Sequence, residues 1–343
     1  MTQETFLNQG DGRATLAQIA HDASVSMSTV SKVLNARTGV STATRVRVED
    51  LLVSHGYNRR GSEQSNSTLI ELVFNNIDSI WSLELIRGVE RVARQNGLSV
   101  ILTESGDRHS PSPDWIKGVL QRQPLGVILV FSDLSDDHKR QLNTRNIPFV
   151  VVDPAGDPAP DVPSIGSANW SGGLLATRHL IELGHRRIGI ITGPEDMLCS
   201  LARLSGYRSA LEAAGIQFDP ALVAIGDFGR ESGVARGHEL LAQADRPTAI
   251  FASSDLQAIG LYAATRALGL QVPRDLSIVG YDDLPVASWV DPALTTVRQP
   301  LVEMAEEATR LVLKLRTNGH AENIRLDLAV NLVHRGSTAQ LNG

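Results

Sequence analysis

Residues 15–35 have the sequence TLAQIAHDASVSMSTVSKVLN, and this stretch determines how the N-terminal part of the chain folds. Thr15 and Gln18 have the spacing of a capping box, in which the two side chains satisfy free backbone amides at the start of a helix. Ser26 can cap a second helix after a short break. The apolar positions recur at helical spacing in both segments: Leu16, Ile19, Ala20 and Ala23, then Val30, Val33 and Leu34. The pattern predicts two short helices joined by a tight turn.

A third helix is predicted to begin at Ser41 or Thr42 and to stop at Gly56. Three short helices with a tight turn between the first two form a helix-turn-helix, whose second helix enters the major groove of DNA. The exposed residues of that helix are short and mainly polar, which allows close approach to base edges: Met27, Ser28, Thr29, Ser31 and Lys32. On the pattern alone, a three-helix packing unit that never touches DNA remains open.

The size and charge of the chain are consistent with a small N-terminal helix-turn-helix domain, here called the head, attached to a larger body. The 343 residues exceed one core of ordinary size, so we expect more than one structural unit. The net charge is −6, yet residues 1–60 hold seven Lys/Arg and five Asp/Glu, so the head is mildly basic on an acidic body. Residues 1–14 are polar and without periodicity, and they are predicted to form a disordered tail.

Several features exclude other classes of protein. The single cysteine, Cys199, excludes an intrachain disulfide and a multi-cysteine zinc site. The histidines show no ligand spacing, so we expect no metal and no cofactor. Neither a signal segment nor an apolar run of roughly 18 residues is present, which predicts a cytoplasmic protein without a membrane span.

Residues 68–338 alternate β-rich apolar runs with amphipathic helical segments, which predicts parallel sheets with helices on both faces. Ligands of such sheets bind beyond the carboxyl ends of the strands. The predicted strands are Leu69–Phe74, Ser99–Thr103, Val127–Phe131, Phe149–Asp153, Arg187–Thr192, Thr248–Ala252 and Ser277–Tyr281. The predicted helices include Leu83–Gln95, Gly172–Leu183, Arg203–Ala214, Leu256–Leu268 and Val302–Leu315.

Motifs of catalysis are missing from the sequence. It contains no GxGxxG after a strand, no GxxxxGK[ST], no GxSxG and no HExxH. The adjacent acids Asp282 and Asp283 could serve acid/base chemistry, but one ligand-facing and one loop-facing carboxylate is the more common arrangement at a strand end. We therefore expect no enzyme and no catalytic residues.

Residues 15–35, with Val40-Ser41, Thr44-Arg45 and His55-Gly56-Tyr57, resemble the DNA-binding signature of the lactose/galactose-repressor (LacI/GalR) family. The resemblance implies a helix-turn-helix domain over residues 15–60. It implies base contacts from Met27, Ser28 and Lys32, and phosphate or positioning contacts from Thr29, Ser31 and Asn35. We add Thr15, Ser26, Arg59 and Arg60 as candidate DNA-binding residues.

Residues 61–67 are predicted to be a polar linker. Here the sequence departs from the family, whose members usually carry a longer segment with a leucine that wedges into the minor groove. The stretch around this linker contains no leucine. We therefore expect no leucine wedge, although Arg59 and Arg60 could bind phosphates or the minor groove.

The body resembles the core of the same family, which has a periplasmic-binding-protein-like fold. Among the motifs that carry the resemblance are Glu182–Gly189, Arg203–Tyr207, Gly226–Phe228, Gly280–Asp283 and Pro292–Gln299. The fold implies two lobes, lobe 1 at about 68–165 and 293–323 and lobe 2 at about 166–292 and 324–338. The chain would cross near Ile165, near Trp289–Pro292 and near Ala321–Leu328.

Matching motif positions implies an effector cleft at Trp81, Ser132, Asp153, Met197, Arg203, Phe251, Ser254 and Asp282. The chemistry suits a sugar, because carboxylates and a guanidinium bind vicinal hydroxyls and an aromatic ring covers the apolar face of a pyranose. The absence of a cation cluster favours a neutral sugar over a phosphate or nucleobase. Simpler roles stay open: Asp153 as a helix cap or surface acid, Arg203 in an ordinary ion pair, and Trp81 and Trp170 as core residues.

The sequence thus predicts a homodimeric transcription regulator, expected to be a repressor, that binds double-stranded operator DNA and responds to a neutral sugar. A dimer is expected rather than a tetramer because residues 335–343 contain no heptad. Two other classes compete with this interpretation. One is a sugar-binding protein of the same core without DNA regulation, and the other is an enzyme with a merely structural head.

Overall fold

The computed structural model describes residues 15–34, 39–55, 67–106, 111–131, 134–318 and 324–341. The head contains α1 (Leu16–Asp22), α2 (Met27–Leu34) and α3 (Thr42–Ser54). Thr15 caps α1 by accepting a hydrogen bond from the Gln18 amide at 3.3 Å. The Gln18 side chain donates instead to Asp22 at 2.9 Å, so one half of the predicted capping box forms. Gly56, the predicted stop, lies outside the described residues, as do Asn35, Arg59 and Arg60.

The second and third helices begin where the sequence indicated. The Ser26 hydroxyl accepts from the Thr29 amide at 3.2 Å, and the Ser41 hydroxyl accepts from the Thr44 amide at 3.3 Å. The turn between α1 and α2 passes through Ser24 at a φ of +53°. The three helices bury one apolar cluster: Ile19, Ala20, Ala23, Val30, Val33, Leu34, Val48 and Leu52. The predicted helix-turn-helix is confirmed.

The body contains two six-stranded sheets. The first is built from β1 (Leu69–Phe74), β2 (Ser99–Glu104), β3 (Gly126–Val130), β4 (Phe149–Val152), β5 (Ser164–Ser167) and β11 (Arg325–Leu328). The second is built from β6 (Ile188–Thr192), β7 (Val223–Ile225), β8 (Ala249–Ala252), β9 (Ser277–Asp282), β10 (Thr295–Arg298) and β12 (Asn331–Val333). All recorded pairings are parallel except the one between β10 and β12. The predicted α/β class is confirmed.

Helices cover both sheets. Those on the first sheet are α4 (Ile80–Gln95), α5 (Pro113–Arg122), α6 (Asp136–Thr144) and α11 (Leu301–Asn318). Those on the second are α7 (Asn169–Glu182), α8 (Leu198–Ala213), α9 (Arg230–Leu241) and α10 (Asp255–Ala267). Short 3₁₀ turns lie at Pro220–Leu222 and Pro285–Ser288. In the part of the chain that the structure describes, no helix combines the length and apolarity that a membrane crossing requires.

Both sheets repeat one strand order, and this order sets where a ligand can bind. The first runs β2-β1-β3-β4-β5-β11 and the second β7-β6-β8-β9-β10-β12. In each, the order reverses between the first and third strands of the lobe, and open parallel sheets bind ligands at the carboxyl ends beside such a reversal. The reversal points lie between β1 and β3 in lobe 1 and between β6 and β8 in lobe 2.

The chain crosses between the lobes after β5, after β10 and after β11. The first crossing agrees with the expected position near Ile165. The second does not lie at Trp289–Pro292, because β10 pairs with β9 and keeps residues through Arg298 in lobe 2. The expected lobe 1 segment beginning at residue 293 therefore begins later, at Gln299–Pro300. The third lies after Leu328, because β11 pairs with β5 in the first sheet, so the expected lobe 2 segment beginning at residue 324 begins later, after β11.

The head packs against α6 of lobe 1. Arg145, which follows α6, donates from Nη2 to the Val33 carbonyl at 2.8 Å, near the C-terminal end of α2. Arg140 lies 3.3 Å from Asp50 of α3. Glu49 is fully buried beside them, and neither of its carboxyl oxygens has a hydrogen-bond partner among the described residues. Burial raises the pKa of Glu49, an effect that Arg145 opposes.

Candidate functional sites: an interlobe cavity and a helix-turn-helix surface

A cavity of about 600 Å³ lies between the lobes and is lined by residues from both reversal points. We call it the interlobe cavity. Lobe 1 contributes the end of β1, the start of α4 and the end of β3: Phe74, Asn75, Asn76, Asp78, Ser79, Trp81, Ser82, Val130 and Phe131. Lobe 2 contributes residues that follow β6, β7, β8 and β9: Pro194, Met197, Cys199, Arg203, Asp227, Phe228, Gly229, Arg230, Glu231, Ser254, Leu256, Asp282 and Leu284.

Arg203 is the buried cation of the cavity wall. Its Nε donates to Asn169 Oδ1 at 2.8 Å, and its Nη1 donates to the Ser253 carbonyl at 2.6 Å. The guanidinium carbon lies 3.7 Å from the centre of the Tyr281 ring, so it is also held by a cation–π contact. Among the described residues, Nη2 has no hydrogen-bond partner. The simpler alternative for Arg203, an ion pair on a helix face, does not describe this arrangement.

Asp282 and Asp283 separate as the strand-end pattern predicted. Asp282 is buried at the end of β9 and lines the cavity, whereas Asp283 pairs with Arg335 at 2.6 Å. Both adopt positive φ, at +114° and +58°. Burial, opposed by Arg203 and supported by the nearby Asp153, raises the pKa of Asp282 to about 7. Asp282 thus ionises near neutral pH inside the cavity.

Asp255 stands behind Asp282 as a second buried carboxyl group. Its two oxygens accept from the Thr296 hydroxyl and from the Leu284 amide, the latter at 2.7 Å. Burial raises the pKa of Asp255 well above its usual range, and Asp282 adds to the rise. Because its hydrogen-bonding capacity serves the protein itself, Asp255 acts on the cavity through Asp282.

Aromatic rings stand on both lobes of the cavity. Trp81 stacks on Phe131 with ring centres 4.6 Å apart and planes 19° apart. Trp81 also packs into the lobe 1 core, so it is at once a core residue and a wall residue. Phe228 lies on the lobe 2 side, 5.5 Å from the Arg203 guanidinium. The cavity therefore offers apolar ring surface on both lobes beside the polar groups of Arg203 and Asp282.

Phe228 was not among the candidates from sequence, although Gly226–Phe228 had been noted as a motif. Its ring lies against Gly193, where a Cβ atom would stand 2.0 Å from Phe228 Cζ. The Phe228 carbonyl accepts from the Ser254 hydroxyl at 2.7 Å. Ser254 also caps α10 by accepting from the Gln257 amide at 3.1 Å. Gly193 and Ser254 therefore fix the loop that carries the ring.

Five of the eight candidates from sequence line the interlobe cavity: Trp81, Met197, Arg203, Ser254 and Asp282. Phe251 is fully buried inside the second sheet and is not on the cavity wall. Asp153 lies on the wall of a smaller adjoining chamber. Ser132 lies outside the described residues.

The second helix of the head presents the residues predicted to face DNA. Met27 is 56% exposed, and Ser28, Ser31 and Lys32 are exposed beside it. The hydroxyls of Ser26, Ser28 and Thr29 cluster at the start of the helix, with Ser26 Oγ 2.8 Å from Ser28 Oγ and 2.9 Å from Thr29 Oγ1. The packing of the head on lobe 1 leaves this face open to a partner.

A helix-turn-helix head with an open recognition face, joined to a two-lobed core with a polar and aromatic cavity, defines a DNA-binding protein with a small-molecule site. Residues 15–60 match the family described as bacterial regulatory proteins, lacI family. Residues 177–338 match the periplasmic binding protein-like domain. The described helices and strands of these segments agree with both descriptions.

Relatives match over nearly the whole chain. The HTH-type transcriptional repressor CytR of Escherichia coli (strain K12) is 34% identical over 333 residues, which cover 96% of this chain and 97% of CytR. The HTH-type transcriptional regulator CelR of Thermobifida fusca is 36% identical over 337 residues, covering 95% and 98%. The chain belongs to the LacI family of bacterial regulatory proteins. It is a transcription regulator and not an enzyme, as the missing catalytic motifs had indicated.

Two solved structures illustrate the family likeness. A transcriptional regulator CelR–cellobiose complex has a TM-score of 0.70 and 36% identity, covering 95% of this chain and all of that one. The lac repressor dimer bound to operator and the anti-inducer ONPF has a TM-score of 0.68 and 27% identity, covering 95% and 99%. Head and core are thus present together in proteins of this kind.

Proposed function

We propose that this protein represses transcription in the cytoplasm as a homodimer bound to a pseudo-palindromic operator, and that a neutral sugar in the interlobe cavity changes its operator affinity. The observation that carries the proposal is the fixed guanidinium of Arg203 on the wall of a cavity that has aromatic rings on both lobes. A sugar hydroxyl can accept from its remaining nitrogen, while Trp81 and Phe228 cover the apolar faces of a sugar ring.

The charges of the cavity favour an uncharged ligand. Its described wall carries four carboxyl groups, those of Asp78, Asp227, Glu231 and Asp282, against the two guanidinium groups of Arg203 and Arg230. A phosphate or carboxylate ligand would meet net repulsion there. A volume of about 600 Å³ exceeds the space that one sugar ring requires, so a disaccharide is the size of ligand we favour. The CelR relative in complex with cellobiose supports this choice.

The DNA part of the proposal is supported by the exposed face of α2. Met27, Ser28 and Lys32 are the proposed base-reading residues, and Thr15, Ser26, Thr29, Ser31, Asn35, Arg59 and Arg60 the proposed positioning residues. One head reads one half-site, so a two-fold dimer requires a pseudo-palindrome. The relative crystallised as a dimer on its operator supports this assembly.

The test is an operator titration of the wild type and three variants with and without a panel of neutral mono- and disaccharides, on an operator selected from random DNA. Lys32→Ala should weaken specific binding by about 1–3 kcal/mol, whereas Lys117→Ala, an exposed lysine of the body, should not. Arg203→Ala should keep basal operator affinity and lose the response to sugar. Unchanged sequence preference in Lys32→Ala would reject the groove assignment. A normal sugar response in Arg203→Ala would reject the cavity.

A further inference from the structure

A second, smaller chamber of about 240 Å³ lies beside the interlobe cavity, under the strands by which the chain crosses between the lobes. We call it the crossover chamber. Its walls come from the end of β4, from β5 and β11, and from the first turns of α7 and α8. Among the described residues, Cys199 is the one shared by the walls of both spaces. The chamber therefore joins elements of lobe 1 to two helices of lobe 2.

The chamber wall contains a buried acceptor that the protein does not use. Asp153 is 3% exposed, and its Oδ2 has no hydrogen-bond partner among the described residues. Burial raises the pKa of this carboxyl group, an effect opposed by Arg203 and by the nearby side-chain amides of Gln299 and Asn169, so the oxygen without a partner is Oδ2 alone. Leaving such a group without a partner costs about 1–3 kcal/mol, so buried polar atoms in native proteins nearly always contact a partner. When the carboxyl group is ionised, this oxygen calls for a donor as its partner.

The opposite wall supplies donors. α7 begins at the chamber, its N-cap Ala168 makes no side-chain cap, and its first turn contains no acidic residue. The first amides of a helix have no partner within the helix, so those of Trp170 and Ser171 can donate to a ligand. Arg325 stands at the rim, paired with Asp157 at 3.0 Å. A ligand must therefore donate on one side and accept on the other.

Hydroxyl groups satisfy both demands, and the charges exclude simpler ions. An anion would meet Asp153 and Asp327, whereas a cation would meet the start of α7 and Arg325. The Trp170 indole is 45% exposed and lines the chamber, where it offers an apolar face to a ring. The space holds about eight waters of liquid volume, which is close to one sugar unit.

We propose that the crossover chamber is a second binding subsite, separate from the interlobe cavity, that takes one sugar unit or another small uncharged polyol. Its occupant would contact β5 and β11 on one side and α7 and α8 on the other. Since these elements meet where the lobes join, occupancy would hold the two lobes in one arrangement. The subsite stands on its own walls and does not depend on which ligand fills the interlobe cavity.

The test uses D-glucose, D-ribose and glycerol as probes in the full-length protein, with calorimetry and tryptophan fluorescence as readouts. Phe228→Ala removes a wall of the interlobe cavity and leaves the chamber intact, so at least one probe should still bind and change the fluorescence. Trp170→Phe should remove that change. Ala202→Phe, which fills the chamber from α8, should abolish this binding. Leu201→Phe, next along the same helix but 49% exposed and off this wall, should preserve it.

Two results would overturn the proposal. One is a failure of all three probes to bind Phe228→Ala while thermal melting shows that it is folded, which would leave water as the only occupant. The other is equal probe binding in Ala202→Phe and Leu201→Phe, which would place the probe elsewhere. Either result leaves the proposed function intact, because that function is tested by sugar-dependent operator binding of the wild type and Arg203→Ala.

Discussion

Replacing Asp282 by asparagine should stabilise the protein above neutral pH and leave its stability unchanged in acid. The carboxyl group is buried, and its pKa rises from 3.8 to about 7 on folding. A group with a raised pKa binds its proton more tightly in the folded state, so its favourable contribution is present below about pH 4 and disappears as the pH rises through about 7. Asparagine keeps the shape, tolerates positive φ and has no proton to lose.

The magnitude follows from the size of the shift. Each pKa unit corresponds to 1.36 kcal/mol, so the wild type should lose up to about 4 kcal/mol relative to Asp282→Asn between pH 4 and pH 8. Asp255 changes the result in the same direction, because its pKa is raised partly by Asp282 and its ionisation becomes easier once that charge is gone. The quantity to measure is the difference in free energy of unfolding between variant and wild type, from urea titrations at several pH values.

Asp283→Asn is the matched control. It removes the neighbouring carboxylate, which pairs with Arg335, but Arg335 still donates to the Leu294 carbonyl at 2.8 Å. This variant should be slightly less stable than wild type because it loses the ion pair, and since Asp283 is only a minor cause of the raised pKa of Asp255, any stabilisation that grows with pH should be much smaller than that of Asp282→Asn. A difference between Asp282→Asn and wild type that stays flat from about pH 5 to about pH 8 would mean that Asp282 ionises normally, and the electrostatic description of the cavity would be incorrect.

Two further changes test how the structure supports its sites. Gly193→Ala should displace the Phe228 ring, which lies where the new Cβ would stand, and so lower sugar affinity in calorimetry without changing operator affinity. Gly189→Ala, within β6 just before Gly193 and with its nearest neighbour at 3.3 Å, should have a much smaller effect, and equal effects of the two would contradict this role. Arg145→Ala should release the head from α6, since it removes a charge-assisted bond worth about 1.5–3 kcal/mol and the cation that most strongly opposes the raised pKa of Glu49. Hydrogen exchange in α3 should rise, whereas Arg94→Ala, an exposed arginine of α4, should leave it unchanged. Unaltered exchange in both would show that the head does not depend on this contact.

The parts of the fold that the sequence predicted well are those with strong local patterns. The apolar run Leu69–Phe74 corresponds to β1, and the other six predicted strands agree with observed ones to within a residue or two at their ends. Five strands were missed: β5, β7, β10, β11 and β12. Each has only three or four residues, so pairing with a neighbour and not an apolar pattern determines it.

The second crossing was misplaced for a related reason. Trp289–Pro292 carries turn residues, which suggested that the chain leaves lobe 2 there. However, Thr295–Arg298 forms β10, which pairs with β9 and β12 in lobe 2. The local sequence does not indicate this pairing, because it joins residues that are far apart in the chain. The crossing then occurs at Pro300, at the start of α11.

The sequence predicted the site residues that are polar and lie at or after the end of a strand. It missed those whose position depends on packing between distant parts of the chain. Arg203 and Ser254 are polar residues that follow β6 and β8, and Asp282 ends β9; the structure brings all three to one cavity. Phe228 follows a three-residue edge strand, and its place depends on a missing side chain at Gly193. Trp170, for which a core position had been left open, is instead exposed on the crossover chamber.

A hydrogen-bond path indicates how a ligand could reach the junction of the lobes. Trp81 Nε1 donates to Gln299 Oε1 at 3.5 Å, and Gln299 Nε2 donates to Ser167 Oγ at 3.1 Å. Gln299 and Ser167 lie at two of the three crossings, so a ligand that stacks on Trp81 acts on the segments that set the angle between the lobes.

A ligand shifts that angle only if it binds the two arrangements unequally. Typical couplings of about 1–3 kcal/mol change affinity by roughly 5- to 150-fold, and operator DNA must change sugar affinity by the same factor. Gln299→Leu breaks the path without touching the cavity wall, so it should reduce this reciprocal factor while sugar still binds; an unchanged factor would place the coupling elsewhere.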